Sequence, residues 1–309
     1  MADIKQYVFF DFEMLCSDRG MAYADMEAIR LGAVKYNIET EEMESFDRFI
    51  RPKNTAPLSE FCINLTGIQD CDLAGAKSFQ DVFEEFLKWI GGIKRTQYFS
   101  WSPNDLSRLQ LDALIHNIPP TTIKKIEKRY IDFQAIFSKR VSKNNMSVEN
   151  ALSLYDLQFE GEAHHPMYDA YNTLRVYLAF CNNPIKSDLI MLEKFIFADK
   201  KIDHIGQMNR HLKKQFRKDL SELITASNII IKMKDAKKLV KRTYRMVEKY
   251  ENILINRSGL FDKEIQHYVR LLSEFYQDLV QSYEEHLSYT STIMILHEHM
   301  VQPLRRLSS

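Results

Sequence analysis

The sequence predicts an α/β domain over residues 1–183, built on a five-stranded sheet flanked by helices, and an all-α part over residues 184–309. Three observations carry this. The run Tyr7-Val8-Phe9-Phe10-Asp11-Phe12-Glu13 reads as a buried strand. Short apolar segments separated by turn residues and amphipathic stretches follow it as far as Asn183. Beyond Pro184, Gly206 and Gly259 are the only glycines and Pro303 the only proline, so little interrupts helix there.

In order, Ala28–Tyr36 reads as a second strand and Ser45–Ile50 as a third, joined by the polar turn Glu39–Glu44 in an antiparallel meander. Ser59 caps a short helix that Gly67 stops. Ser78 caps an amphipathic helix with Phe79, Val82, Phe83, Phe86, Leu87 and Ile90 on one face, and Gly91-Gly92 ends it. Gln97–Trp101 is a fourth strand, Ser102-Pro103 starts a helix, Arg129–Phe133 is a fifth strand, and Ser147 caps the next helix. Pro166 opens a helix that Asn182-Asn183-Pro184 closes, and the domain boundary is placed there. In the C-terminal part, Phe261, Ile265, Tyr268, Leu272, Phe275 and Leu279 form an apolar stripe suited equally to a helical bundle and to a dimer or partner interface.

The chemistry begins at the end of the first strand. Side chains alternate across a strand, so Asp11 and Glu13 share a face roughly 6.6 Å apart, with Phe12 in the opposite layer. Seven acid-x-acid pairs occur in the chain, close to the number chance alone supplies, but only this one follows an apolar strand. Two carboxylates buried at a strand end call for a compensating cation. Asp105 falls in the first turn of a helix, where the dipole favours an anion. Asp169 falls in or just after the first turn of the helix opened by Pro166, with His164 and His165 on the loop before it. Histidine titrates near neutrality and suits general-base work.

Taken together, residues 5 to about 183 resemble the DnaQ-like, or DEDD, 3′-to-5′ exonucleases. The branch is DEDDh, in the group of small-RNA and histone-mRNA trimming enzymes and bacterial sporulation-inhibitor homologues. Asp11-Phe12-Glu13 corresponds to the first motif, Leu65-Thr66-Gly67-Ile68 to the turn after it, Asp105 to the second motif, and His164 with Asp169 to the third. The resemblance implies a mixed, RNase H-like sheet and two Mg²⁺ or Mn²⁺ ions held by Asp11, Glu13, Asp105 and Asp169. It further implies a histidine base, His164 with His165 as its competitor, and release of nucleoside 5′-monophosphates from the 3′ end of single-stranded RNA or DNA, RNA preferred. Leu65, Thr66 and Gly67 would contact the terminal nucleotide, and Trp101 or Phe99 is a candidate for stacking on a base, although their place on a predicted strand favours a core role for both. A DNA-repair or proofreading exonuclease, and a non-catalytic regulator acting through the C-terminal half, are the competing expectations.

Composition agrees with a metal-dependent enzyme acting on a polyanion. The 309 residues are 45% hydrophobic and 27% charged, with zero formal net charge. That balance hides an asymmetry: residues 1–183 carry 20 basic and 26 acidic side chains, and residues 184–309 carry 22 and 16. Lys234, Lys237, Lys238, Lys241 and Arg245 lie on one predicted helix and are candidates for nucleic-acid contact. No stretch is apolar enough to span a bilayer, and Cys16, Cys62, Cys71 and Cys181 lack metal or disulfide spacing, so a cytoplasmic protein with free thiols and no membrane contact is expected.

Overall fold

The computed structural model describes residues 3–198, 200, 205–225 and 230–308. The chain forms two compact units, one of residues 1–139 and 144–182, the other of residues 140–143 and 183–309.

The first unit contains β1 (Gln6–Met14), β2 (Ala28–Asn37), β3 (Met43–Arg51), α1 (Glu60–Thr66), α2 (Asp70–Ala74), β4 (Lys77–Ser78), α3 (Phe79–Ile90), β5 (Thr96–Ser100), α4 (Pro103–Ile115), α5 (Pro120–Glu127), β6 (Tyr130–Asp132), α6 (Phe133–Phe137), α7 (Val148–Leu154) and α8 (Pro166–Asn182). The strands make one mixed sheet of six, in the order β4-β3-β2-β1-β5-β6. The expected count of five misses β4, two residues paired to the end of β3 and too short to show an alternating pattern. β2 is antiparallel to β1 and β3, whereas β5 and β6 run parallel to β1.

Local signals set the element ends. Ser59, Ser78, Ser102 and Ser147 each accept a backbone N–H from the first turn of the helix that follows. Gly67 closes α1 at φ 70°, a left-handed conformation that glycine adopts without strain. On one face of the sheet Val8, Phe10 and Phe12 pack with Phe79, Phe83 and Phe86 of α3 and Leu109 of α4. On the other face Phe9 and Phe99 stack, with Tyr177 of α8 tilted against both.

The second unit holds α9 (Pro184–Met191), α10 (Met208–Thr225), β7 (Ile230–Lys232), α11 (Met233–Tyr250), α12 (Lys263–Ser288), β8 (Ile293–Ile295) and α13 (Glu298–Ser308). The expectation of helix alone is corrected by β7 and β8, which pair antiparallel. The stripe Phe261, Ile265, Tyr268, Leu272, Phe275 and Leu279 is buried in this unit's own core, so it is not an open interface. Lys234, Lys237, Lys238, Lys241 and Arg245 are exposed on α11, with Lys238 paired to Asp235 at 3.0 Å. Among the described residues no helix is long and apolar enough to cross a membrane.

Candidate active site

Asp11 and Glu13 stand on the face of β1 opposite the phenylalanine core. Their partners on β2 are Gly32 and Arg30. Gly32 decides what reaches this face: a Cβ there would lie 2.0 Å from the backbone nitrogen of Met167, in the first turn of α8. Without a side chain at this position the start of α8 rests directly on the sheet beside Asp11, bringing Asp169 with it. Carboxylate oxygens of Asp11, Glu13 and Asp169 lie within 4.8 Å of one another.

Asp105 arrives from the other side. The pairing of β1 with β5 ends at Phe9 and Phe99. Past that point the amide of Phe12 donates to Asp105 Oδ1 at 3.1 Å, so the first turn of α4 is tied to the strand between the two metal-facing acids. Asp105 is buried and lies outside the close group of three oxygens.

The carboxyl groups of the four acids all sit above their ordinary pKa range. Burial is the main cause for each, reinforced by the neighbouring carboxylates for Asp11 and Glu13; Asp11 and Asp105 are pushed up, Glu13 to about 8 and Asp169 to about 6. Hydrogen bonds from the backbone of Phe12 oppose the rise at Asp105, as does Arg30 at Glu13. An oxygen-only donor set held together against its own repulsion, with no thiol or imidazole in the group, fits hard divalent cations such as Mg²⁺ or Mn²⁺.

The two histidines have different surroundings. His164 is exposed, in a left-handed conformation at φ 60°. The Asp169 amide donates to the His165 carbonyl at 2.9 Å, and His164 lowers the Asp169 pKa against the effect of burial. His165 is turned to the sheet, with Nε2 2.6 Å from Arg30 Nη2. A guanidinium only donates, so His165 Nε2 is the acceptor and the ring is neutral there. Burial and Arg30 both lower its pKa. Arg30 is fixed in turn by two bonds to Asp47, 2.8 and 2.7 Å long.

α1 packs against the chain just after Glu13. Ser59 Oγ donates to the Cys16 carbonyl at 2.8 Å, and Cys62 Sγ to that of Met14 at 3.7 Å. One turn apart on its outer face, Phe61 and Leu65 are 44% and 38% exposed, two large apolar side chains left open to solvent. Thr66 is buried, its hydroxyl donating to Cys62 O and accepting from Ile68 N.

The family model described as Exonuclease, of the RNase T type, matches residues 8–177, more than half of the chain. The chain belongs to the exonuclease family. Among curated relatives of this exonuclease, 3′-5′ exoribonuclease 1 of Mus musculus is 29% identical over 180 residues, 54% of this chain and 50% of that protein. ERI1 exoribonuclease 2 of Mus musculus is 25% identical over 189 residues, 54% of this chain and 27% of that protein. The chain thus spans from about a quarter to half of the length of these two relatives. Among solved structures, the nuclease domain of 3′hExo, a DEDDh family member bound to rAMP, superposes with a TM-score of 0.53 at 21% identity, covering 60% of this chain and 97% of that one. That likeness shows the fold.

In this exonuclease the structure brings Asp11, Glu13, Asp105, His164 and Asp169 together. Leu65 and Gly67 are exposed at the end of α1. Trp101 does not present a stacking face: its ring packs on Phe133 and Phe137, and its Nε1 donates to Met146 O at 2.8 Å. Sequence reasoning missed Gly32, Arg30 and Phe61. A lone glycine inside the apolar strand Ala28–Asn37 was a usable signal for close backbone approach; nothing local marked the other two.

Proposed function

We propose that this protein is a metal-dependent 3′-to-5′ exonuclease that shortens single-stranded RNA to nucleoside 5′-monophosphates. The observation that carries the proposal is the grouping of Asp11, Glu13 and Asp169 within 4.8 Å, with Asp105 tied to the strand between the first two. The names of the exoribonuclease relatives favour RNA over DNA as substrate.

Asp11, Glu13 and Asp169 would hold two Mg²⁺ or Mn²⁺ ions directly, with Asp105 completing the site. When bound, these cations supply Lewis-acid stabilisation of charge on the phosphate and on the attacking and leaving oxygens. His164, exposed beside Asp169, accepts the proton of the attacking water. The Asp169 amide, donating to the His165 carbonyl, ties the histidine loop to the start of α8. His165 is held by Arg30 and serves to place the loop. Phe61 and Leu65 offer an apolar face for the terminal base, with Gly67 leaving its backbone accessible and Thr66 supporting the turn from within. The exposed cations of α11 suit an anionic partner.

The test is degradation of 5′-labelled single-stranded RNA and DNA with Mn²⁺, Mg²⁺ or EDTA, by the wild type and Asp11→Asn. A ladder shortening from the 3′ end that requires both metal and Asp11, faster on RNA, is expected. Equal rates on DNA would reassign the substrate, and no metal-dependent shortening of either strand would overturn the proposal.

A further inference from the structure

We infer that the end of the sheet opposite the carboxylates is a second contact for the nucleic acid, taking phosphates several nucleotides 5′ of the residue being removed. The inference rests on the exonuclease reading and specifies how the rest of the strand is held.

Topology creates this surface. β1, β5 and β6 run parallel, so the residues entering β5 and β6 lie at one end of the sheet. Asp11 and Glu13, late in β1, and Asp105, after β5, lie at the other. Lys94 and Arg95 immediately precede β5, while Lys124, Lys125, Lys128 and Arg129 lead into β6. The two segments meet: the Arg129 carbonyl accepts the Tyr98 amide at 2.9 Å, and α5 packs on the turn at 93–95. Together they carry six cations and one acid, Glu127.

What sets these cations apart is that they gather at one end of the sheet without partners; Arg19 and Lys88, likewise exposed and unpaired among the described residues, lie elsewhere in the chain. Lys94, Arg95, Lys124, Lys125 and Lys128 are exposed, and none of the five makes a side-chain hydrogen bond or ion pair among the described residues. Elsewhere in the same unit Lys5 meets Glu39, Lys35 meets Glu44, Arg48 meets Glu85 and Arg175 meets Glu160. Residues 1–183 carry six more acids than bases, so a concentration of unpaired positive charge at one end is a segregation that repulsion opposes. A polyanion relieves it, and the substrate of the carboxylate end is one.

The spacing sets a length. From Gln6, opposite Thr96 at the start of β5, to Glu13 is seven residues, about 23 Å of strand. At about 3.4 Å per stacked nucleotide, that is about seven nucleotides. An oligonucleotide of four reaches only the carboxylates; one of twelve reaches both ends.

The experiment compares the wild type with Lys94→Glu/Lys128→Glu, using four- and twelve-nucleotide single-stranded RNA at several salt concentrations. For the wild type the twelve-mer should show a KM about tenfold or more below that of the four-mer. The double variant should lose most of that advantage, keep its rate on the four-mer within about twofold, and reduce the slope of log affinity against log salt by about 1.4, or about 0.7 per phosphate contact. Binding of the twelve-mer in EDTA, read by fluorescence anisotropy, reports the surface even if no cleavage occurs, so failure of the catalytic proposal and of this one are told apart. Equal KM values for the two lengths, or twelve-mer binding unchanged in the double variant, overturn the inference. So does a loss confined to Lys237→Glu/Lys241→Glu on α11, or retention by anionic vesicles without RNA binding.

Discussion

The Asp105 carboxylate accepts the backbone N–H of Phe12, the residue between Asp11 and Glu13, at 3.1 Å. One hydrogen bond thus fixes the helix-borne acid to the strand that carries the other two. It also gives Asp105 a structural duty that its charge alone does not perform, since an amide oxygen accepts the same bond.

Asn at position 11 or 105 should therefore separate charge from shape. For Asp11→Asn and Asp105→Asn, exonuclease activity should fall by about a thousandfold, equivalent to about 4 kcal/mol of transition-state stabilisation. Stability without metal should not fall, because each change removes a carboxyl group whose ionisation burial opposes. Thermal melting in EDTA at pH 8 checks this; a lower Tm in both variants would mean that the carboxylates stabilise the metal-free fold.

Metal and pH should be coupled with a definite sign. Glu13 is pushed up from its ordinary 4.5 to about 8. Between those values the folded chain holds a proton that the unfolded chain has released, so stability without metal falls as pH rises through this window. A bound cation favours the ionised forms and cancels the loss. Mg²⁺ or Mn²⁺ should thus raise Tm more at pH 8 than at pH 6. Calorimetry at both pH values decides it, and an equal rise would contradict the reading.

The histidines should part company under mutation. His164→Ala should lower kcat by about 10²–10⁴-fold with Tm unchanged, as expected for loss of an exposed base. His165→Ala removes the acceptor of a hydrogen bond from Arg30 and should cost about 1 kcal/mol of stability, with a smaller effect on kcat. Paired melting and single-turnover measurements distinguish the two; the reverse pattern would make His165 the base.

Gly32→Ala tests the seat of α8. The added Cβ would lie 2.0 Å from Met167 N, where only backbone is available to move. A loss of about 2 kcal/mol or more is expected, together with weaker metal binding as Asp169 is displaced. Isothermal titration with Mn²⁺ and thermal melting report the two effects. Wild-type affinity at normal Tm would show that the helix start has more room than the backbone indicates.

The features that could be read from the chain are those governed by near neighbours. The serine caps at 59, 78, 102 and 147 act within one helical turn, and the Asp11/Glu13 pair follows from strand alternation. Features that depend on distant segments were not legible. β4 exists because β3 offers Lys77 and Ser78 an edge, and β7 exists because residues 293–295 return beside it. The sequence favoured His164 and left His165 as its competitor; Arg30, more than 130 residues earlier, occupies His165. The core role that its strand position favoured for Trp101 is the one it has, but its partners Phe133 and Phe137, more than 30 residues on, could not be named from local pattern.

Residues 140–143 belong with the helical unit although they lie within the span of the exonuclease unit. The chain therefore passes between the two bodies three times, and no single peptide cleavage divides it into both. During synthesis this short insertion leaves the ribosome some forty residues before the helices it belongs with begin to follow at Asn183. The two units are consequently not independent in the order of their assembly: residues 1–182 can be complete in length while four of them still await the rest of their own domain.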